Sequence, residues 1–151
     1  MNINRFGIKG EVVMKMNVML DEGAMMPVRA HEFDAGYDIF SPVRECIWKH
    51  SSATIDTGVH VEIPQGYVGM LKSKSGLNIK HGLTGEGVID SGYTGSIVCR
   101  LYNDTFKNYI IEKGDKIIQL VILPIITPEL VQVNSLADTE RGDNGFGSTG
   151  R

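Results

Sequence analysis

Short stretches that mix apolar and polar residues, each closed by turn residues, recur along this chain. Val12–Leu20 sets Val and Met among Lys and Asn and reads as a first strand. Thr54–Ile63 (TIDTGVHVEI) is rich in β-branched residues and stops at the turn signal Pro64-Gln65-Gly66. Tyr67–Lys72, Ile97–Asn103, Tyr109–Glu112, Lys116–Leu123 and Leu130–Val133 continue the series, broken at Asn103-Asp104, Gly114-Asp115, Pro124 and Pro128. No long helical period appears, so the pattern predicts an all-β fold, a jelly-roll-like barrel or sandwich. One short helix is expected at Ser75–Lys80. The polar, glycine-rich stretch 134–151 reads, on composition, as a frayed terminus.

Composition sharpens this picture. A chain of 151 residues, 42% hydrophobic and 22% charged, is one globular domain with a real core. Its 18 glycines exceed the usual share and fit a turn-rich β protein in which backbone approaches other groups closely. A net charge of −3 argues against a polymeric nucleic-acid partner. Cys46 and Cys99 stand far apart, outside any metal or redox spacing, as expected of reduced cytoplasmic thiols with structural roles. His31, His50, His60 and His81 show no zinc-binding spacing. No apolar run approaches a membrane span, and the start lacks the long apolar segment of a secretory signal. Residues 1–10 read as a leader, with Met14 and Met16 available as alternative starts. Trp48 and Met70 read as packing residues.

Five segments carry more glycine and polar content than strand connections need: AGYDIFSP (35–42), LKSKSGLNIK (71–80), GVIDSGYTGSI (87–97), GDKIIQLVILP (114–124) and RGDNGFGSTG (141–150). Each alone is explained by a turn, a strand entry or a flexible end. Their chemistry points further. Ser73-Lys74-Ser75-Gly76 combines hydroxyl, ammonium and backbone N–H donors suited to phosphate. Gly145–Gly150 offers a second such set but lacks the GK[ST] of a P-loop. Arg141 has the fork to grip a terminal phosphate, and Phe146, between glycines, can swing onto a base and stack. Asp90 follows the apolar lead-in Gly87-Val88-Ile89, a place for a carboxylate that takes a proton from water at a strand end.

In their order, these segments closely resemble the five motifs of the trimeric dUTPase family, from about Pro27 to Gly150, and look most like its Gram-positive bacterial and phage members. The resemblance implies a jelly-roll homotrimer that hydrolyses dUTP to dUMP and diphosphate, limiting uracil in DNA and supplying dUMP. It implies active sites at subunit interfaces, with a domain at 1–134 and a C-terminal lid arm at 135–151 that closes over a neighbour's site. On this reading the glycine-rich terminus is an ordering lid.

Residue roles follow from the resemblance. Asp90 would deprotonate the water attacking the α-phosphorus, and Tyr93 would stack beneath the deoxyribose. Gly87, Val88 and Ile89 would read the uracil edge through their backbone. Lys74, Ser75 and Gly76 would bind phosphates, and Gln119 the α-phosphate region. Arg141, Gly147, Ser148 and Thr149 would hold the γ-phosphate, Phe146 would cover the uracil, and Asp38 would order neighbouring basic groups. Mg2+ would be carried mainly by the triphosphate and water rather than by a protein cage. A regulatory protein partner is implied if the source is a phage.

The sequence departs from the family pattern at Lys74, where most members have arginine, and in the short link from His81 to Gly87. Gly92 stands where some members have aspartate. A deaminase of the same fold, using Glu86 as proton shuttle, and a purely partner-binding protein are the alternatives. The VIDSGYTG pattern and the filled catalytic positions argue against both.

Overall fold

The computed structural model describes residues 14–143. In chain order the elements are β1 (Asn17–Leu20), β2 (Gly36–Phe40), β3 (Glu45–Ile47), β4 (Ser51–Glu62), β5 (Tyr67–Ser73), α1 (Ser75–His81), β6 (Leu83–Thr84), β7 (Glu86–Ile89), β8 (Ser96–Asn103), β9 (Tyr109–Ile111) and β10 (Lys116–Pro124). The strands pair antiparallel into a four-stranded sheet β1-β4-β8-β6, a second four-stranded sheet β2-β10-β5-β7 and the ribbon β3-β9. The fold is thus mostly β with one short helix, as the sequence predicts, and its strands stay in separate packed sheets rather than one closed cylinder.

Alternation builds the core. In β8, Ile97, Cys99, Leu101 and Asn103 point inward while Val98, Arg100 and Tyr102 are exposed. Ile97, Cys99 and Leu101 meet Ile55, Val59 and Val61 of β4, Leu71 of β5 and Ile118 and Leu120 of β10 in a single buried cluster. Burial holds the Cys99 thiol up at about 12, so it stays an inert packing group.

Two irregularities break the alternation. The β4–β8 register shifts between Asp56 and His60, and Gly58 takes φ +65° there. A side chain at Gly58 would also meet Ala24, its Cβ 2.9 Å from that of Ala24. Inside the bulge the buried Thr57 donates from Oγ1 to the Ile97 carbonyl at 2.7 Å and accepts from the Val59 amide at 3.3 Å. The second shift, between Lys116 and Ile118 of β10, leaves Ile117 and Ile118 both buried.

Several sequence expectations need correction. The first strand covers only Asn17–Leu20; residues 14–16 lie outside it and 12–13 outside the described residues. Leu130–Val133 is not a strand: among the described residues no strand pairs with residues 126–143, which are exposed. Trp48 is 64% exposed just past β3, so it does not pack in the core. The short strands β2, β3, β6 and β7 have no separate signal in the sequence pattern, although AGYD and the lead-in to Asp90 touch two of them. The helix matches expectation and extends to His81.

Replacing Thr57 by Val keeps the shape and leaves the Ile97 carbonyl and Val59 amide without that hydroxyl. The expected loss is about 2 kcal/mol in urea unfolding, seen as a lower midpoint at unchanged slope.

Candidate functional site

The outer face of the second sheet carries a row of polar residues in register. Asp38 on β2 lies opposite Gln119 on β10, Gln119 opposite Lys72 on β5, and Lys72 opposite Glu86 on β7. Side chains paired in this way share a face. The β10 bulge is what lets Lys116 join them. With strict alternation, positions 116 and 119 would face opposite sides; the extra residue turns both outward while Ile117 and Ile118 go inward.

Asp38 is the hub of this face. Its backbone is bridged both ways to Val28, at 3.1 and 2.7 Å. Its buried carboxylate takes Lys74 Nζ on Oδ1 and Lys116 Nζ on Oδ2, the latter at 3.0 Å. Burial alone raises its pKa, yet the two ammonium groups together outweigh that and hold it below the ordinary value. Lys116 also rests over the Phe40 ring, 5.8 Å from its centroid. The sequence motifs do not single out Lys116. A lysine three positions before a polar Gln119, with two isoleucines between, is the one signal available for it. Gln119 lies across Gly36, where an added Cβ would sit 3.1 Å from its Oε1.

Lys74 leads directly into α1. The first amides of a helix, here those of Ser75 and Gly76, have no intrahelical acceptor. Both residues are exposed, and nothing lies within 4 Å of a Cβ built on Gly76. Asp38, Lys74, Ser75, Gly76, Lys116 and Gln119 therefore collect at one end of β5, with donors opening onto solvent.

The other candidate group lies on β7, the last strand of its sheet, whose pairing to β5 matches Leu71, Met70 and Gly69 with Gly87, Val88 and Ile89. One backbone edge of β7 is used on β5; the other is open, so its N–H and C=O groups can read a planar partner. Asp90 follows, exposed, and opens a turn closed by the Tyr93 amide on the Asp90 carbonyl at 3.1 Å. Gly92 takes φ +92° in that turn, a conformation that favours glycine. Tyr93 folds over Gly95 and donates from its hydroxyl to the Ser96 carbonyl at 3.0 Å, leaving one ring face open at 46% exposure.

These two groups do not meet within one chain. Ile89 lies opposite Gly69, so Asp90 falls beside Val68, whereas Lys74 follows Ser73 at the far end of β5. Lys74 is six residue steps along the chain from Val68, about 20 Å at the ordinary rise per residue. Arg141 is exposed in the turn that Gly142 closes on Thr139 at 3.1 Å. Phe146, Gly147, Ser148 and Thr149 lie outside the described residues. Glu86, the residue a deaminase would need, is exposed and paired with Lys72 at 3.1 Å.

A β-sandwich with a cationic, amide-rich cluster at one sheet end and an edge strand with a carboxylate turn at the other is an all-β protein with donors for an anionic ligand and an open edge for a planar one. Comparison narrows the class. Residues 22–150 match the family model for dUTPase, and the chain belongs to the dUTPase family. The deoxyuridine 5'-triphosphate nucleotidohydrolase of Paramecium bursaria Chlorella virus 1 is 43% identical over 132 residues, 87% of this chain and 94% of that protein. The Staphylococcus bacteriophage 80alpha dUTPase, solved with dUPNHPP and described among phage dUTPases that control transfer of virulence genes, shares 40% identity at a TM-score of 0.85, over 91% of this chain and 99% of that one. A mutant dUTPase from phage phi11 of S. aureus, solved with a structural Mg(II) ion, shares 37% identity at a TM-score of 0.77, over 83% of this chain and 100% of that one.

Asp38 contributes stability that is present above the ordinary carboxylate pKa and is lost as pH falls through its lowered value. Asp38→Asn is therefore expected to lower stability by roughly 2 kcal/mol, less than a fully buried pair because Lys116 is partly solvated. In thermal melts the gap from wild type should stay constant between neutral and mildly acidic pH and close only below the ordinary aspartate range.

Proposed function

We propose that this enzyme hydrolyses dUTP to dUMP and diphosphate at sites that separate chains of a homotrimer complete together. The observation that carries this reading is the distance between Asp90 and the Lys74–Gly76 cradle, too long for one chain to bring both to one phosphorus. A second observation agrees. Past Pro124 the chain carries Ile126, Leu130, Val131 and Leu136 at 91, 92, 73 and 87% exposure, an apolar series that an isolated chain leaves in water. Neighbouring subunits covering this arm would bury it, and residues 135–151 would continue from it as the lid over a neighbour's site.

In this arrangement the open edge of β7 reads uracil through Gly87, Val88 and Ile89, and Tyr93 packs its free face under the deoxyribose, where a 2′-hydroxyl would clash. Ser75, Gly76 and Lys74 of another chain hold the phosphates, with Gln119 toward the α-phosphate. Asp90 accepts a proton from water as the water oxygen bonds to the α-phosphorus. The bond from that phosphorus to the bridging oxygen breaks, and diphosphate leaves with the electron pair. Arg141, Gly147, Ser148 and Thr149 grip the γ-phosphate, and Phe146 closes on the base. Asp38 keeps Lys74 and Lys116 extended toward the anion.

Among the described residues no three His, Cys, Asp or Glu side chains are grouped to hold a metal ion. A Mg2+ would be carried through triphosphate oxygens and water and would neutralise phosphate charge. No helix among the described residues is long and apolar enough to cross a membrane. Free Cys46 and Cys99 suit a cytoplasmic setting. The 80alpha enzyme, described among phage dUTPases that control transfer of virulence genes, supports a regulatory protein partner for this chain in addition to catalysis.

Diphosphate release should be rapid with dUTP and at least a hundredfold slower with dTTP, dCTP and UTP, each of which meets a clash or a mismatched base edge. Asp90→Asn should retain nucleotide binding and lose a thousandfold or more in kcat, because only the proton acceptor is removed; near-normal turnover would refute the role given to Asp90. A chain ending at Glu140 should remain trimeric and lose most of its turnover; full activity would remove the lid.

A further inference from the structure

The turn that carries Asp90 and Tyr93 is held from behind by a histidine whose two ring nitrogens both face acceptors. His60 on β4 points Nδ1 at the Thr94 carbonyl, 2.8 Å away, and Nε2 at Asp21 Oδ2, 3.1 Å away. A carbonyl oxygen and a carboxylate oxygen cannot donate. A neutral imidazole has one N–H and can satisfy only one of them; the imidazolium satisfies both. We infer that His60 is a positioning residue for the dUTPase reaction: as an imidazolium tied to Asp21, it holds the Asp90–Ser96 turn against β4 through the Thr94 carbonyl.

The surrounding contacts make this a built arrangement. Asp56 and His60, four positions apart, share the outward side of β4, and the register shift between them sets them against Val98 and Ser96 of β8; Asp56 accepts from the Ser96 hydroxyl and from the Gly58 amide at 3.1 Å. The Asp21 amide donates to the Gly58 carbonyl at 2.8 Å, which anchors the backbone of the residue whose carboxylate faces His60. The charged groups that act on the ring are Asp21, from the segment after β1, and Asp56, on β4. Glu62, further along the same strand, is engaged by the Asn17 amide at 2.6 Å. The Thr94 carbonyl first, and then Asp21, hold the His60 pKa above its ordinary value. The clamp is therefore complete below the ordinary histidine pKa and is lost as pH rises through the raised one.

This inference rests on the Asp90 turn being catalytic, so one half of its test needs no catalysis. In ring nitrogen NMR of the full-length protein near neutral pH, His60 should show two protonated nitrogens. The Tyr93 and Thr94 amides should shift with its titration, and Asp21→Asn should move that titration to lower pH. A neutral single-tautomer ring near pH 6 would overturn the inference. In the kinetic half, wild-type kcat should fall several-fold as His60 deprotonates, with KM changing less. His60→Gln should lack that inflection, and Asp21→Asn should shift it to lower pH. Superimposable pH profiles for wild type and His60→Gln would overturn it as well. A fully active Asp90→Asn would sink the catalytic reading while leaving the ring spectra as they are.

Discussion

The antiparallel register of β5 and β7 is the constraint on which the rest depends. Pairing Gly69 with Ile89 and Lys72 with Glu86 sends the two strands in opposite directions. The groups that follow each strand are then delivered to opposite ends of the sheet. One end receives the Lys74–Gly76 turn into α1; the other receives the Asp90–Tyr93 turn. A slip of one residue would put the buried Leu71 side of β5 in conflict with the core, so hydrophobic burial holds this separation in place. On the proposed function, a single chain would hold two incomplete half-sites, and symmetric assembly would supply the missing halves without any new fold.

Each half-site is prepared by a bulge. In β10 the extra residue lets Lys116 and Gln119 share the Asp38 face without exposing Ile117 or Ile118. In β4 the register shift at Gly58 sets Asp56 and His60, both on the outward side, behind the Asp90 turn, and Thr57 satisfies the carbonyl that the irregularity would strand. In both places charged groups face outward while the core stays apolar. On the proposed function, a carboxylate between two ammonium groups would pre-order the phosphate end, and a histidine between two acceptors the nucleoside end. In both places the ordering groups bind backbone or side chains of the protein, which leaves the reacting donors open to solvent.

The long strands and the helix at Ser75 are legible in the sequence because composition and turn residues point one way, and the order of the motifs makes the family legible as well. Other features are not legible, for definable reasons. Short strands such as β3 and β6 take their identity from partners rather than from their own residues. Leu130–Val133 has strand-like residues but no partner edge inside the chain. Trp48 has the composition of a core residue and is mostly exposed, because its position past β3 decides its side. Lys116 escapes a sequence reading because the β10 bulge shifts the parity that such a reading assumes, and His60 because its partners Asp21 and Thr94 lie 39 and 34 residues away along the chain.

The division of the site between chains is tested most directly by mixing two defective subunits. Asp90→Asn and Lys74→Met chains, each nearly inactive alone, would be unfolded, combined in equal amounts and reassembled. If Asp90 and Lys74 reach one phosphorus from different chains, random trimers regain roughly a quarter of wild-type turnover, since one in four sites draws both intact residues. If one chain supplies both residues, every site in the mixture carries a defect, and activity stays at the level of the separate variants.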